Sequence, residues 1–228
     1  MPNNENIREL IYKAYQTLLK ILKYQNYNTT KYDNYSIHNI FQMIATNTLN
    51  LFLDEYIEEN KYNEHLPDYL KQSISDEYKP KTLVHFQMDK TLRKNILYDL
   101  VEEYFHIEEK INKKDNLIIV TKEQLNESML KEIQQLWEQD NIFIVLFSIQ
   151  QLQFFTLEHT LVPIHIPLTE KQKQLVYEKH NINDDSEIPG ISQFDPCATC
   201  ISLRPKQLCF IQRPSYTTVT QPFYRICE

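Results

Sequence analysis

The sequence holds a single glycine, Gly190, in 228 residues. Glycine enters left-handed backbone without steric cost, so its near-absence moves the turns onto Asn, Asp and Pro. Long apolar runs are missing too. The longest, Ile142 to Phe147, is the size of a strand, far short of the roughly 20 residues of a membrane-spanning helix. The opening residues Met1 to Asn6 are polar and lack the apolar core of a secretory leader. Nor is there a surplus of positive charge: the formal net charge is -7. A free-standing DNA-binding domain is usually basic, because phosphate neutralisation supplies most of its non-specific affinity. An acidic chain lies beside DNA only where a partner brings the positive surface. Without a leader, the 4 cysteines are expected as reduced thiols rather than disulfides. An intracellular protein with no membrane association follows as an expectation.

What is present reads as an ordinary globular chain, 42% hydrophobic and 24% charged, long enough to bury the core of one large or two small domains. Asn, Lys, Ile and Tyr abound, as in products of AT-rich genomes. Leu10, Ile11, Ala14, Leu18, Ile21 and Leu22 recur at spacings of three and four, which predicts an amphipathic helix over Ile7 to Tyr24. A loop over Asn26 to Ser36 and a second helix over Ile37 to Glu59 follow. The helix rests on Ile40, Ile44, Leu51, Leu53 and Ile57. The polar stretch from Asn60 to Pro80 reads as an inserted or mobile segment. The pattern then alternates: a strand in Lys81 to Met88, a helix over Thr91 to Lys110, a buried strand over Asn116 to Thr121, a helix over Lys122 to Gln139, a buried strand over Ile142 to Ser148. That order predicts a small α/β layer with helices packed on a sheet. Past Phe154 the texture changes. Thr169 is placed to cap a helix running to His180. From Cys200 on, loosely alternating residues broken by Pro205, Pro214 and Pro222 predict a small strand-rich domain. The expected division is 1–153 and 154–228.

Residues Glu158 to His165 read EHTLVPIH, with His159, Leu161, Val162, Pro163 and His165 in a fixed frame. The helix start Leu168-Thr169-Glu170 comes next, then Ile188-Pro189-Gly190-Ile191, Asp195-Pro196-Cys197-Ala198, Arg213-Pro214-Ser215 and Tyr224-Arg225. This ordered series resembles the assembly domain of the fifth common subunit of eukaryotic RNA polymerases and of its archaeal counterpart. It is far more specific than any one short motif. Weaker resemblance extends through the first helix and the strand–helix alternation, and fails over Lys31 to Pro80. The resemblance implies an α/β N-terminal jaw domain of nuclease-like topology, followed by a small α+β assembly domain. It implies a non-catalytic polymerase subunit that docks on the largest subunit, with other polymerase subunits as partners. The jaw would face downstream duplex DNA through the complex. No cofactor, metal or small-molecule ligand is implied. Docking residues carried over are His159, Leu161, Val162, Pro163, His165, Asp195, Pro196, Arg213, Tyr224 and Arg225. Lys113, Lys114 and Lys122 are the DNA-proximal candidates.

The departures are specific. Thr199-Cys200 stand where the family has an arginine and a tyrosine, and Gly190 where it has an arginine. Glycines expected near Ser202, Lys206 and Val219 are absent, so the tight turns are expected to be built differently. Such drift suits a divergent branch, a large DNA virus for instance, which would put the protein in host cytoplasm and virion rather than a nucleus.

Other patterns carry weaker chemistry. Cys197 and Cys200 form C-x-x-C, with Cys209 and Cys227 downstream. A zinc site usually shows a second paired spacing, so buried small hydrophobes are the expected reading. Asp99, Glu108 and Lys110 match the two-carboxylate-and-lysine layout of magnesium nucleases. That chemistry needs Glu108 and Lys110 on a strand, facing one side, whereas their place at a helix end separates them. A free regulatory module that has kept the fold is the remaining rival to a polymerase subunit.

Overall fold

The computed structural model describes residues 4–57, 64–71, 79–124 and 126–228. They form two compact units, one of residues up to Ile57 with Pro80–Phe155, the other of 64–71 with Thr156–Glu228. Among the described residues no helix is long and apolar enough to cross a membrane.

In chain order the elements are α1 (Asn4–Tyr24), α2 (Ile37–Ala45), β1 (Asn50–Leu53), α3 (Asp68–Lys71), β2 (Thr82–Gln87), α4 (Lys94–Val101), β3 (Asn116–Thr121), α5 (Glu127–Asp140) and β4 (Phe143–Ser148). Of these, α3 belongs to the second unit.

The first unit is a four-stranded sheet in the order β1-β2-β3-β4. Strand β1 runs antiparallel to β2, while β2, β3 and β4 are parallel and in register, Val84 beside Ile118 and Ile118 beside Val145. Every residue of β3 and β4 is buried, as expected of parallel strands covered on both faces. Successive residues of β2 show the two coverings. Tyr15 of α1 approaches Phe86 at 6.1 Å between ring centres, and Tyr104, beyond α4, approaches His85 from the other side at 5.8 Å. Trp137 of α5 meets Phe143 edge-on at 5.9 Å. The fully buried Asp115 closes the turn into β3 by accepting from the backbone amides of Lys81 and Asn112.

Three expectations are corrected here. The helix foreseen over Ile37 to Glu59 ends at Ala45. Asn47 turns the chain through left-handed backbone, and Leu51 and Leu53 face inward from strand β1. The helix over Thr91 to Lys110 is α-helical only from Lys94 to Val101, and Glu102–Ile107 continue it as one π-helical stretch. That wider turn carries Tyr104 and Phe105 into the core. The helix foreseen from Lys122 begins at Glu127, behind Asn126 as cap. The reading of residues 60–80 as an insertion lies partly outside the described residues. Within it, 64–71 carry α3, whose Leu70 is fully buried.

Elements of the second unit continue with β5 (Ile164–Pro167), α6 (Glu170–His180), β6 (Gly190–Ile191), α7 (Pro196–Cys200), β7 (Leu208–Ser215) and β8 (Val219–Cys227). The sheet order is β5-β7-β8-β6. Strand β7 runs antiparallel to both of its neighbours, β5 and β8, and β6 runs parallel to β8 at Ile226 and Cys227. One face of this sheet makes the core: Ile166, Leu208, Phe210 and Ile226 pack with Leu70, Leu168, Val176 and Ile188. Thr169 starts α6 with a reciprocal capping box. Its hydroxyl accepts from the Gln172 amide, and the Gln172 side chain accepts from the Thr169 amide at 3.0 Å. Asp195 likewise caps α7 by accepting from the Cys197 amide at 2.8 Å, ahead of Pro196 at the first helical position.

Asparagine replaces glycine at the helix ends, as the composition predicts. Asn26, Asn47, Asn141 and Asn181 all have positive φ, just beyond α1, α2, α5 and α6.

Candidate interaction surface

Register decides which residues of the second unit share a surface. His165 lies beside Ile211 and Ile211 beside Phe223, while Cys209 pairs with Arg225 and Arg213 with Gln221. The period of two then places His165, Arg213, Phe223 and Arg225 on one face, opposite the Phe210 core. Tyr224 points the other way. Its ring lies 5.8 Å from Phe210, and its hydroxyl is 2.7 Å from that of Tyr69 in α3. Of the docking candidates carried in the Arg213-Pro214-Ser215 and Tyr224-Arg225 landmarks, Arg213 and Arg225 therefore share a surface, and Tyr224 serves the interior.

The guanidinium of Arg213 sits 3.7 Å above the centre of the Phe223 ring, and that of Arg225 lies 5.6 Å from the same centre. Arg225 also donates to the Gly190 carbonyl at 2.7 Å. His165 is buried beside them. Its Nδ1 lies 2.7 Å from the Pro163 carbonyl, so that nitrogen carries the proton. Burial lowers its pKa below the ordinary value, aided by the charges of Arg213 and Arg225 and opposed by the Pro163 bond and Asp195. The ring is neutral and structural. His159 also bonds backbone, its Nδ1 accepting from the Leu161 amide at 3.2 Å. This fixes a turn that leaves Leu161 84% exposed, with Val162 and Pro163 half-buried.

The four thiols are free. Cys200, Cys209 and Cys227 are buried, and burial pushes their pKa values up to about 12. Cys197 is pushed up to about 11 by burial and by neighbouring Asp195. Among the described residues no group of three or more His, Cys, Asp or Glu side chains is disposed to hold a metal ion.

In the first unit the candidate lysines separate. Lys113 and Lys114 precede β3 and Lys122 follows it, so the strand puts roughly 20 Å between them at about 3.3 Å per residue. Lys122 lines a cleft with Lys90, Met88, Thr121 and Asn126, where β2 and β3 end and α5 begins. Glu108 and Lys110 pair with each other at 2.6 Å in the turn after the π-helical stretch, not on a strand, and Asp99 is exposed on α4. A polar group unread in the sequence lies beneath that stretch. The Nδ1 of buried His85 is 2.9 Å from both Asn50 Oδ1 and the Tyr104 hydroxyl, and its Nε2 is 3.1 Å from Gln87 Oε1. Desolvation lowers the His85 pKa, against the raising effect of Gln87, and burial raises that of Tyr104 to about 12.

The second unit coincides with a family model. Residues 154–227 match RNA polymerase Rpb5, C-terminal domain. The subunit Rpo5 of DNA-directed RNA polymerase from Pyrococcus abyssi is 31% identical over 74 residues, which cover 89% of that protein and 32% of this chain. The chain belongs to the Rpb5 family. Subunit RPABC1 of DNA-directed RNA polymerases I, II and III from Caenorhabditis elegans is 38% identical over 69 residues. That match spans 32% of the nematode protein's length and 30% of this chain. The resemblance to the fifth common subunit, made on motifs from His159 onward, is therefore sound, and the similarity rests on the second unit.

One expectation drawn from that family is overturned. The turns lacking glycine are not built differently. Ser202, Lys206 and Val219 have φ of 49°, 67° and 64°, so left-handed backbone persists at the expected glycine positions, imposed on residues that resist it. Gly190, in place of an arginine, has an ordinary φ, and a Cβ there would lie 2.2 Å from the Glu228 carboxylate. A larger residue needs the flexible Glu228 side chain to swing away.

Proposed function

We propose that this chain is a non-catalytic subunit of a DNA-directed RNA polymerase. Its second unit docks on the largest subunit, and its first unit forms part of the jaw beside downstream duplex DNA. The observation that carries this reading is the match along 89% of an archaeal polymerase subunit by a region that folds here as one compact unit. The docking residues are the half-buried Arg213 and Arg225 on the sheet face opposite the Phe210 core, the exposed Leu161 turn held by His159, Val162 and Pro163, and the α7 cap of Asp195 and Pro196. His165 and Tyr224 support them from within. Lys122 is the DNA-proximal residue, at the amino end of α5, where free amides favour phosphate. Lys113 and Lys114, at the far end of β3, meet a different stretch of duplex. The catalytic step belongs to other subunits, and the protein works inside the cell, where transcription proceeds. The nuclease rival loses its main support, because Glu108 and Lys110 neutralise one another in a turn instead of facing a common site from a strand.

The test is affinity purification of the tagged full-length chain from its native source. The large polymerase subunits are expected to come down in stoichiometric amounts. Their absence would refute the assignment and favour a free regulatory module.

A further inference from the structure

We propose that Arg213 and Arg225, set on either side of Phe223, are the charge-reading element of the docking face and receive carboxylates of an acidic segment on the polymerase partner. This rests on the polymerase-subunit reading and adds the chemistry of the partner's surface.

Arg213 is the centre of the argument. Its guanidinium is held by stacking on Phe223 at 3.7 Å. Among the described residues it makes no ion pair and no hydrogen bond, and it is half-buried. A guanidinium carries five donors in a fixed fork matched to a carboxylate, and stacking on an aromatic ring holds that fork in place before any partner arrives. Arg225 is pinned by the Gly190 carbonyl and lies against the same ring. The nearby acid, Asp195, accepts from the Cys197 amide at the cap of α7 and forms no ion pair with either arginine. His165, on neighbouring β5, has its pKa lowered by burial, which disfavours a third positive charge on the face. From Ile188 to Cys227 the sequence has one acid, Asp195, against Arg204, Lys206, Arg213 and Arg225. In a chain of net charge -7, this is a local reversal of sign, and charge complementarity points to an acidic occupant.

Main-chain recognition fits less well. Beyond Ile226 and Cys227, no described strand pairs the outer edge of β8. The Ile226 amide points outward to Pro189, so the alternation of β8 turns position 222 outward as well. Position 222 is proline and has no amide hydrogen to offer an added strand. The side chains, not the edge, therefore present the specific donors.

The experiment compares tagged full-length wild type, Arg213→Glu, Arg213→Gln and Arg213→Lys, each captured from the native source after nuclease digestion. The largest polymerase subunit is expected to fall at least tenfold with Arg213→Glu and less with Arg213→Gln. A zero-length carbodiimide is expected to couple the Arg213→Lys chain, through position 213, to an Asp or Glu of that subunit, located by mass spectrometry. Equal capture by wild type and Arg213→Glu would overturn the inference while leaving the subunit assignment intact. So would absence of the carbodiimide crosslink, a readout that stands even if Arg213→Glu loses its near-UV circular dichroism. Loss of wild-type capture on nuclease treatment would mean that nucleic acid bridges the two and would also overturn it. If wild type captures no polymerase subunit, with or without nuclease, the subunit assignment itself falls.

Discussion

Replacing Val219 by glycine should stabilise the β7–β8 hairpin, although it deletes a side chain. Val219 sits at φ 64° where the hairpin turns into β8. Left-handed backbone costs an L-residue about 1–2 kcal/mol, and a β-branched residue is among the least tolerant. The side chain returns little for that cost, being 80% exposed. Against the relief stands the extra freedom of glycine in the unfolded chain, about 0.5–1 kcal/mol. The difference favours Val219→Gly by roughly 0.5–1 kcal/mol, and 1 kcal/mol is about fivefold in an opening equilibrium. Trp137, the single tryptophan, belongs to the first unit, so its fluorescence does not report on the hairpin. Hydrogen exchange of peptides from β7 and β8 does. Exchange should slow two- to fivefold in Val219→Gly and change little in Val219→Ala, which keeps the Cβ that opposes positive φ. If Val219→Gly exchanges as fast as Val219→Ala, or faster, the strain argument is wrong, and with it the view that Ser202 and Lys206 hold their turns at a cost.

Three further outcomes follow from the same geometry. Thr169→Ala removes half of the α6 capping box and should destabilise the second unit by about 1 kcal/mol, read as faster exchange in α6; an unchanged rate would deny the cap any energetic part. Burial depresses the folded-state pKa of His85, so its contribution is complete above the unfolded value of about 6.5 and is lost as pH falls from there through the folded value. Urea midpoints followed by Trp137 fluorescence should therefore drop more between pH 7.5 and 5.5 in wild type than in His85→Gln, and parallel declines would exclude His85 as a source of acid sensitivity. The raised pKa values of Cys200, Cys209 and Cys227 predict that these thiols react slowly with a disulfide reagent at pH 8 in the native protein and rapidly in urea; fast native labelling of Cys209 would contradict its burial.

What could be read from the residues followed the range of the interactions involved. Thr169 and Gln172 are three apart and satisfy each other, so the start of α6 was visible locally. The runs NLIIVT and IFIVLF could be little else than buried strands. Leu51 and Leu53 misled because Ile40, Ile44 and Leu51 also fit a helical stripe. The contrary signal, Asn47 before an alternation of only four residues, was too short to outweigh it. The π-helical stretch had no signature, since a bond to the fifth residue leaves the composition unchanged. The contact of α3 with α6 inside the second unit joins Leu70 to Gln172, far apart in sequence. The candidate surface was half visible. Arg213 and Arg225 were identified by motif, but Phe223 between them, and the turning of Tyr224 to the interior, required the β7–β8 register. Phe223 stands two residues before Arg225, and that period of two was the available hint.

Pro222 has a bearing on the life of the free chain. An uncovered strand edge is a template on which a second copy can assemble. A proline facing outward interrupts that template at its middle, between the exposed Thr220 and Gln221 and the half-buried Phe223. The hairpin can thus remain extended and open without its outer edge templating the addition of a second copy.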